Sequence, residues 1–177
     1  MSDLFPRLTH ADSRLAFLVD GESWTYGELA GAALEHAALL ERTGVSGGDR
    51  VAVWAQPDLC TAAAMIGNAV AGVATVPLNP KLGSVELAQI FEDSTPKLAF
   101  CCERHDLPHE ALGVPSLRAA YRPRSEALPA IPIDESAALI LYTSGTTGPP
   151  KGAVITRSNI AANLDALAEV WNWTDRD

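Results

Sequence analysis

Ala137-Ala-Leu-Ile-Leu-Tyr-Thr-Ser-Gly-Thr-Thr-Gly-Pro-Pro-Lys-Gly152 organises the reading of this chain. Its first six residues, Ala137 to Tyr142, are apolar or aromatic, as in a buried strand. Thr143, Ser144, Gly145, Thr146, Thr147, Gly148, Pro149, Pro150 and Lys151 then follow without interruption. Gly145 and Gly148 reach backbone angles closed to other residues, so successive N–H groups can be aimed at one anion. Thr143, Ser144, Thr146 and Thr147 add hydroxyl donors. Pro149 and Pro150 remove two N–H groups and stiffen the exit, which directs Lys151. Lys151 supplies the positive charge that a polyphosphate needs. Ala153 to Ile155 is a second short apolar run, so the loop is expected to join two strands.

This is not a Walker loop, which requires Gly-x-x-x-x-Gly-Lys-Ser/Thr with the lysine opening a helix. Counted from Gly145, the last three positions hold Pro150, Lys151 and Gly152. The second glycine and the magnesium-binding hydroxyl are both missing. The alternative is a flexible Gly/Ser/Thr linker. Such linkers do not usually sit between two apolar strand runs or end in Pro-Pro-Lys.

Working outward, Asp20-Gly21 between Leu15–Val19 and Glu22–Thr25 predicts a hairpin. Thr25 and Glu28 form a capping box for a helix whose apolar positions run from Tyr26 to Leu40. Val51 to Ala55 is a strand candidate, Pro57 can open the next helix, and Val73 to Leu78 is the next strand. Ser84 is expected to cap a helix reaching Asp93, followed by a strand over Lys97 to Cys102. This alternation predicts an α/β fold, a layered sheet of parallel type with helices on both faces. From Glu103 to Glu135 the periodicity fades among scattered prolines, which predicts an irregular surface connector with one short strand near Val114. Thr156 or Ser158 can cap a last helix reaching about Trp171.

The chain has 177 residues, 47% hydrophobic and 20% charged, enough for one domain with a buried core. A net charge of −9 argues against a nucleic-acid surface, though one loop can still hold a nucleotide in an acidic protein. No stretch has the length and apolarity of a membrane span, and Met1 to Phe5 shows no secretory signal. Cys60, Cys101 and Cys102 cannot all pair, so a reduced, cytoplasmic setting is expected.

The stretch Tyr142 to Gly152 closely resembles the phosphate loop of the adenylate-forming superfamily: acyl-CoA synthetases, peptide-synthetase adenylation domains and luciferases. Ser23-Trp-Thr-Tyr-Gly-Glu-Leu-Ala30, Gly47-Gly-Asp-Arg-Val-Ala-Val53, Gly72-Val-Ala-Thr-Val-Pro-Leu-Asn-Pro80 and Glu86-Leu-Ala-Gln-Ile-Phe-Glu-Asp-Ser94 resemble its earlier segments. Pro77-Leu-Asn-Pro-Lys81, Gly152-Ala-Val-Ile155 and Leu164-Asp-Ala-Leu-Ala168 before Trp171-Asn-Trp-Thr174 are most similar to bacterial malonyl-CoA synthetases.

The resemblance implies that residues 1–177 are the N-terminal part of an AMP-binding (adenylation) domain, the N-terminal subdomain of the acyl-CoA synthetase fold. It implies activation of a carboxylic acid, malonate or a related short acid, by ATP and Mg2+, with transfer of the acyl group to coenzyme A. Thr143 to Lys151 would hold the ATP phosphates and offset charge on departing pyrophosphate. No protein nucleophile is needed, and this chain contributes no catalytic residue and no metal ligand. The segments that contact adenine and ribose, and the C-terminal domain with the catalytic lysine, would lie outside these 177 residues. The expected partners are therefore the carboxylate, ATP, coenzyme A and a complementary C-terminal polypeptide, without which the reaction should not be completed. A reading of a different kind is a catalytically inactive nucleotide-binding or docking module that needs such a chain.

Other residues carry weaker signals. His10, His36, His105 and His109 are not at ligand spacing with the cysteines, and His105 and His109 read as solvated surface. Glu86, Glu92 and Asp93 read as a helix's solvent face, Trp171 and Trp173 as packing residues, and Arg157 as a helix-surface arginine.

Overall fold

The computed structural model describes residues 3–106, 113–122, 124–143 and 150–174. Asp20 and Gly21, at φ of +50° and +82°, turn the chain between β1 (Leu15–Val19) and β2 (Glu22–Thr25), which pair antiparallel. Positive φ at both central residues matches the twist of the flanking strands, which is why Asp-Gly serves here. The Thr25/Glu28 capping box then opens α1 (Tyr26–Arg42).

β3 (Arg50–Trp54), α2 (Leu59–Val70), β4 (Ala74–Leu78), α3 (Ser84–Ser94) and β5 (Leu98–Cys102) follow in the predicted alternation. Two helix starts differ from expectation. Asp58, not Pro57, opens α2, its carboxylate accepting from the Thr61 N–H at 2.7 Å. Gly83, not Ser84, is the residue before α3, and the Glu86 side chain reaches back to its N–H.

The last strands are β6 (Ser116–Ala119), β7 (Ala137–Thr143) and β8 (Lys151–Thr156), and α4 (Arg157–Trp171) closes the chain behind a Thr156 cap. The main sheet has the order β6-β5-β3-β4-β7-β8. The first five strands are parallel, and β8 runs antiparallel to β7. A parallel continuation would need a crossover of a dozen or more residues, whereas only seven residues separate Thr143 from Lys151 in the sequence.

The strands of the sheet centre are apolar on both faces. Val51, Val53, Leu98 and Phe100 pack with α1 and α2, while Ala52, Trp54, Val76, Ala99 and Cys101 pack with Leu87 and Ile90 of α3. This is the layered α/β arrangement with helices on both faces. Gly67 lets α1 and α2 approach closely, since a Cβ there would lie 2.6 Å from the Ala33 carbonyl oxygen. The segment after β5 is less superficial than expected. Tyr121, Leu128 and Ile131 are buried in the same core as α1. Single apolar residues spaced among prolines bury one at a time and leave no periodicity to read.

One polar chain crosses this core. Asn68 Nδ2 donates to Thr75 Oγ1, and Asn68 Oδ1 lies 2.9 Å from His36 Nε2. His36 Nδ1 is 2.5 Å from the Tyr121 hydroxyl. With Asn68 Oδ1 accepting, His36 carries its proton on Nε2 and accepts from Tyr121 at Nδ1. Burial pulls the His36 pKa down to about 4, with the Asn68 contact opposing.

Candidate functional site

The two ends of the glycine-rich segment meet on the sheet. Thr143 closes β7, Lys151 opens β8, and the two are partners in the antiparallel ladder. Because β7, β4 and β3 run parallel, Thr143 stands at the carboxyl edge, where open α/β sheets bind ligands. Thr143 and Lys151 are exposed and Pro150 is half-buried. Lys151 forms no ion pair among the described residues, so its charge is free for an anion. Ser144, Gly145, Thr146, Thr147, Gly148 and Pro149 lie outside the described residues. A strand, not a helix, begins at Lys151, in line with the departure from a Walker loop.

The stem of this segment is braced from both sides. Tyr142 and Gly152 face each other across the ladder, and a Cβ on Gly152 would come within 2.9 Å of Tyr142 Cζ. Glycine is required there because the tyrosine ring lies over it. The Tyr142 hydroxyl donates to Asp93 Oδ2 at 2.5 Å. Burial, then the neighbouring Asp93, raise the Tyr142 pKa to about 12, so the hydroxyl stays protonated as a donor. Asp93 is exposed, as expected, and is also the hydrogen-bond partner of the stem. No local signal in the helix marks it, because its partner is far along the chain.

Arg157 is also unlike its expectation. It is 7% exposed, donates to the Ala69 carbonyl at 2.7 Å and lies 3.7 Å from Asp134. Its Nε finds no hydrogen-bond partner among the described residues. It fastens the start of α4 to the end of α2. Trp171 and Trp173 pack edge-to-face on each other, with ring centres 4.9 Å apart, and stay about half exposed.

His105 is not simple solvated surface either. Its Nε2 lies 2.8 Å from Asp58 Oδ2, and Arg104 is 3.6 Å from the same atom. Asp58 in turn neighbours Cys60 and Cys102. Spacing along the chain hid this cluster because it joins the start of α2 to the end of β5. His109 lies outside the described residues.

An apolar cavity of 540 Å³ opens beside α2, lined among others by Leu4, Phe17, Met65, Ile66, Ala69 and Ile160. Val154, Leu164, Val170 and Trp171 add further exposed apolar surface on β8 and α4. No helix among the described residues is long and apolar enough to cross a membrane.

Residues 7–177 match the family described as AMP-binding enzyme. The chain belongs to the AMP-binding enzyme family. Among its curated relatives, this AMP-binding chain is 35% identical over 159 residues to surfactin synthase subunit 2 of Bacillus subtilis (strain 168), covering 82% of the chain and 4% of that protein. It is 27% identical over 205 residues to a malonate–CoA ligase of Arabidopsis thaliana, covering 98% of the chain and 34% of the ligase.

Among solved structures, a malonyl-CoA ligase with methylmalonyl-CoA and AMP bound is 41% identical, with a TM-score of 0.79 over 98% of this chain and 37% of the ligase. The o-succinylbenzoate CoA synthetase of Bacillus subtilis, in complex with its acyl-adenylate intermediate, is 25% identical, with a TM-score of 0.83 over 98% of this chain and 47% of the synthetase. The AMP-binding chain thus spans less than half the length of each of these proteins. Its fold is that of the N-terminal part of acyl-CoA synthetases.

Proposed function

We propose that this chain supplies the phosphate-binding part of an AMP-forming acid–thiol ligase for a short acid, malonate or a close relative. ATP with Mg2+ would activate the acid to acyl-AMP, and coenzyme A would accept the acyl group. The observation that carries this reading is the pairing of Thr143 with Lys151 at the carboxyl edge of the sheet. It brings both ends of a segment rich in hydroxyls and glycines to one place, beside a lysine with no carboxylate partner among the described residues. Thr143, Ser144, Gly145, Thr146, Thr147, Gly148, Pro149, Pro150 and Lys151 would hold the ATP phosphates. The lysine charge and the donors around it would offset negative charge leaving with pyrophosphate, at no cost of reorganisation during the reaction. MgATP supplies the leaving group and the metal charge. The acid's own carboxylate attacks, so the protein's task is positioning.

Similarity to the malonyl-CoA ligase supports malonate as the acid. The three free cysteines support a reduced, cytoplasmic setting. Residues 1–177 are proposed as the N-terminal part of an adenylation domain. The exposed apolar cavity beside α2 and the apolar outer surface of β8 and α4 are what the rest of such an enzyme would cover. The same surface favours the second reading, an inert docking module.

The test is carboxylate-dependent exchange of labelled pyrophosphate into ATP, with malonate and other acids, on the chain alone and with the downstream segments of a malonyl-CoA ligase added. The expected result is no exchange by the chain alone and malonate-dependent exchange in the assembly, lost in Lys151→Ala. Exchange untouched by Lys151→Ala would overturn the phosphate-loop assignment. A folded assembly inert with every acid would favour the docking module.

A further inference from the structure

The carboxyl ends of β3 and β5 gather groups that the phosphate-loop reading does not use. Leaving β3, the chain turns at Asp58 into α2 on one face of the sheet. It returns from β4 through α3, on the other face, to β5 on the far side of β3. Asp58 and Cys60, after β3, and Cys102, at the end of the neighbouring β5, therefore meet in a crevice at the carboxyl edge of the sheet, the edge where open α/β sheets bind ligands. In that crevice a carboxylate oxygen of Asp58 and the Sγ atoms of Cys60 and Cys102 all lie within 4.8 Å of one another, and all three residues are buried. A cavity of 420 Å³, lined by both thiols with Trp24, Glu103 and Arg104, gives access. By strand spacing this crevice is about 14 Å across the sheet from β7.

We propose that Asp58, Cys60 and Cys102 form a site for a thiophilic divalent cation of the zinc class, with the fourth position open to that cavity. Two sulfurs and one carboxylate oxygen suit Zn2+ or Cd2+ rather than Mg2+ or Ca2+, which take oxygen ligands. Bonds of ~2.3 Å draw tetrahedral sulfurs to ~3.8 Å apart, so the present spread closes with shifts of about half an ångström each.

The surroundings are those of a metal ligand set. Asp58 Oδ1 accepts from the Thr61 N–H at 2.7 Å, and Asp58 Oδ2 lies 2.8 Å from His105 Nε2. These contacts fix the carboxylate and leave lone pairs for one more partner. Two thiolates and one carboxylate carry three negative charges against the cation's two, and Arg104, 3.6 Å from Asp58 and 3.5 Å from Glu22, stands beside them. Loading one cation on two thiols forms two metal–sulfur bonds and releases two protons to solvent. Cys101 points to the opposite face, into the α3 side of the core.

The experiment is titration of the reduced chain, in a phosphine reductant, with Cd2+ and then Zn2+. It reads ultraviolet thiolate-to-cadmium absorption and proton release, neither of which depends on ligase activity. One equivalent should bind with two protons released. Cys60→Ser and Cys102→Ser should each weaken binding at least about tenfold, the loss that outer-shell partners alone can cause, while Cys101→Ser leaves it unchanged. Where a variant fails to fold, X-ray absorption on the zinc-loaded wild-type chain decides, with two sulfur neighbours at ~2.3 Å expected. A folded, fully reduced chain without the absorption band, or zinc lacking sulfur neighbours, overturns the site. So does a band that survives in folded Cys60→Ser or Cys102→Ser.

Discussion

The Tyr142 hydroxyl donates to the Asp93 carboxylate at 2.5 Å and ties the strand entering the glycine-rich segment to the last turns of α3. Tyr142→Phe deletes this bond and keeps the ring over Gly152. A stability loss of about 1 kcal/mol is expected in urea unfolding. In the assembled ligase, pyrophosphate exchange should fall further than that loss explains, because Thr143 is the next residue.

Gly152 is fitted to the same ring. Gly152→Ala places a methyl within 2.9 Å of Tyr142 Cζ and should cost about 1–3 kcal/mol, as overpacked sites do. The double variant with Tyr142→Ala should recover the part of the loss that the ring causes, leaving the contact with Ile140 Cγ2 at 3.0 Å. Additive costs in thermal unfolding would show that the ring is not what excludes a side chain there.

His36 predicts the acid limb of stability. Burial lowers its pKa from 6.5 to about 4 in the folded chain. Below pH 6.5 the unfolded chain takes up a proton that the folded chain refuses, so stability falls as pH drops towards about 4. The contribution is fully present above 6.5. Its slope reaches at most about 1.4 kcal/mol per pH unit within the window. Urea unfolding across that range should show the slope in the wild type and not in His36→Gln. His36→Ala should cost about 3 kcal/mol at neutral pH, through a cavity and the stranded Asn68 and Tyr121 groups.

Lys151 is exposed, so Lys151→Ala should leave stability within about 0.5 kcal/mol. Exchange in the assembled ligase should drop about a hundredfold, the scale of one lost charge-stabilising donor. An equal loss of stability and exchange would make the lysine structural.

Most of the fold was legible because its signals are local. The Asp20-Gly21 turn, the Thr25/Glu28 box and the alternating apolar runs each act within a few residues, and each appears where the pattern puts it. The ends of the glycine-rich segment were legible for the same reason, as a strand on either side. What could not be read is non-local. Asp93 finds Tyr142, Asp58 finds His105 and Cys102, and Arg157 finds Ala69 only after the sheet assembles. The burial of Tyr121, Leu128 and Ile131 was hidden because isolated apolar residues carry no period.

The reversal of β8 against β7 makes the Thr143–Lys151 ladder pair the hinge pins of a cartridge. Whatever lies between those two residues enters and leaves at one spot, and no other strand depends on its length for register. A replacement segment that begins and ends on the same two residues should therefore be tolerated by the sheet. The chemistry carried by that segment could then be exchanged without redesigning the core.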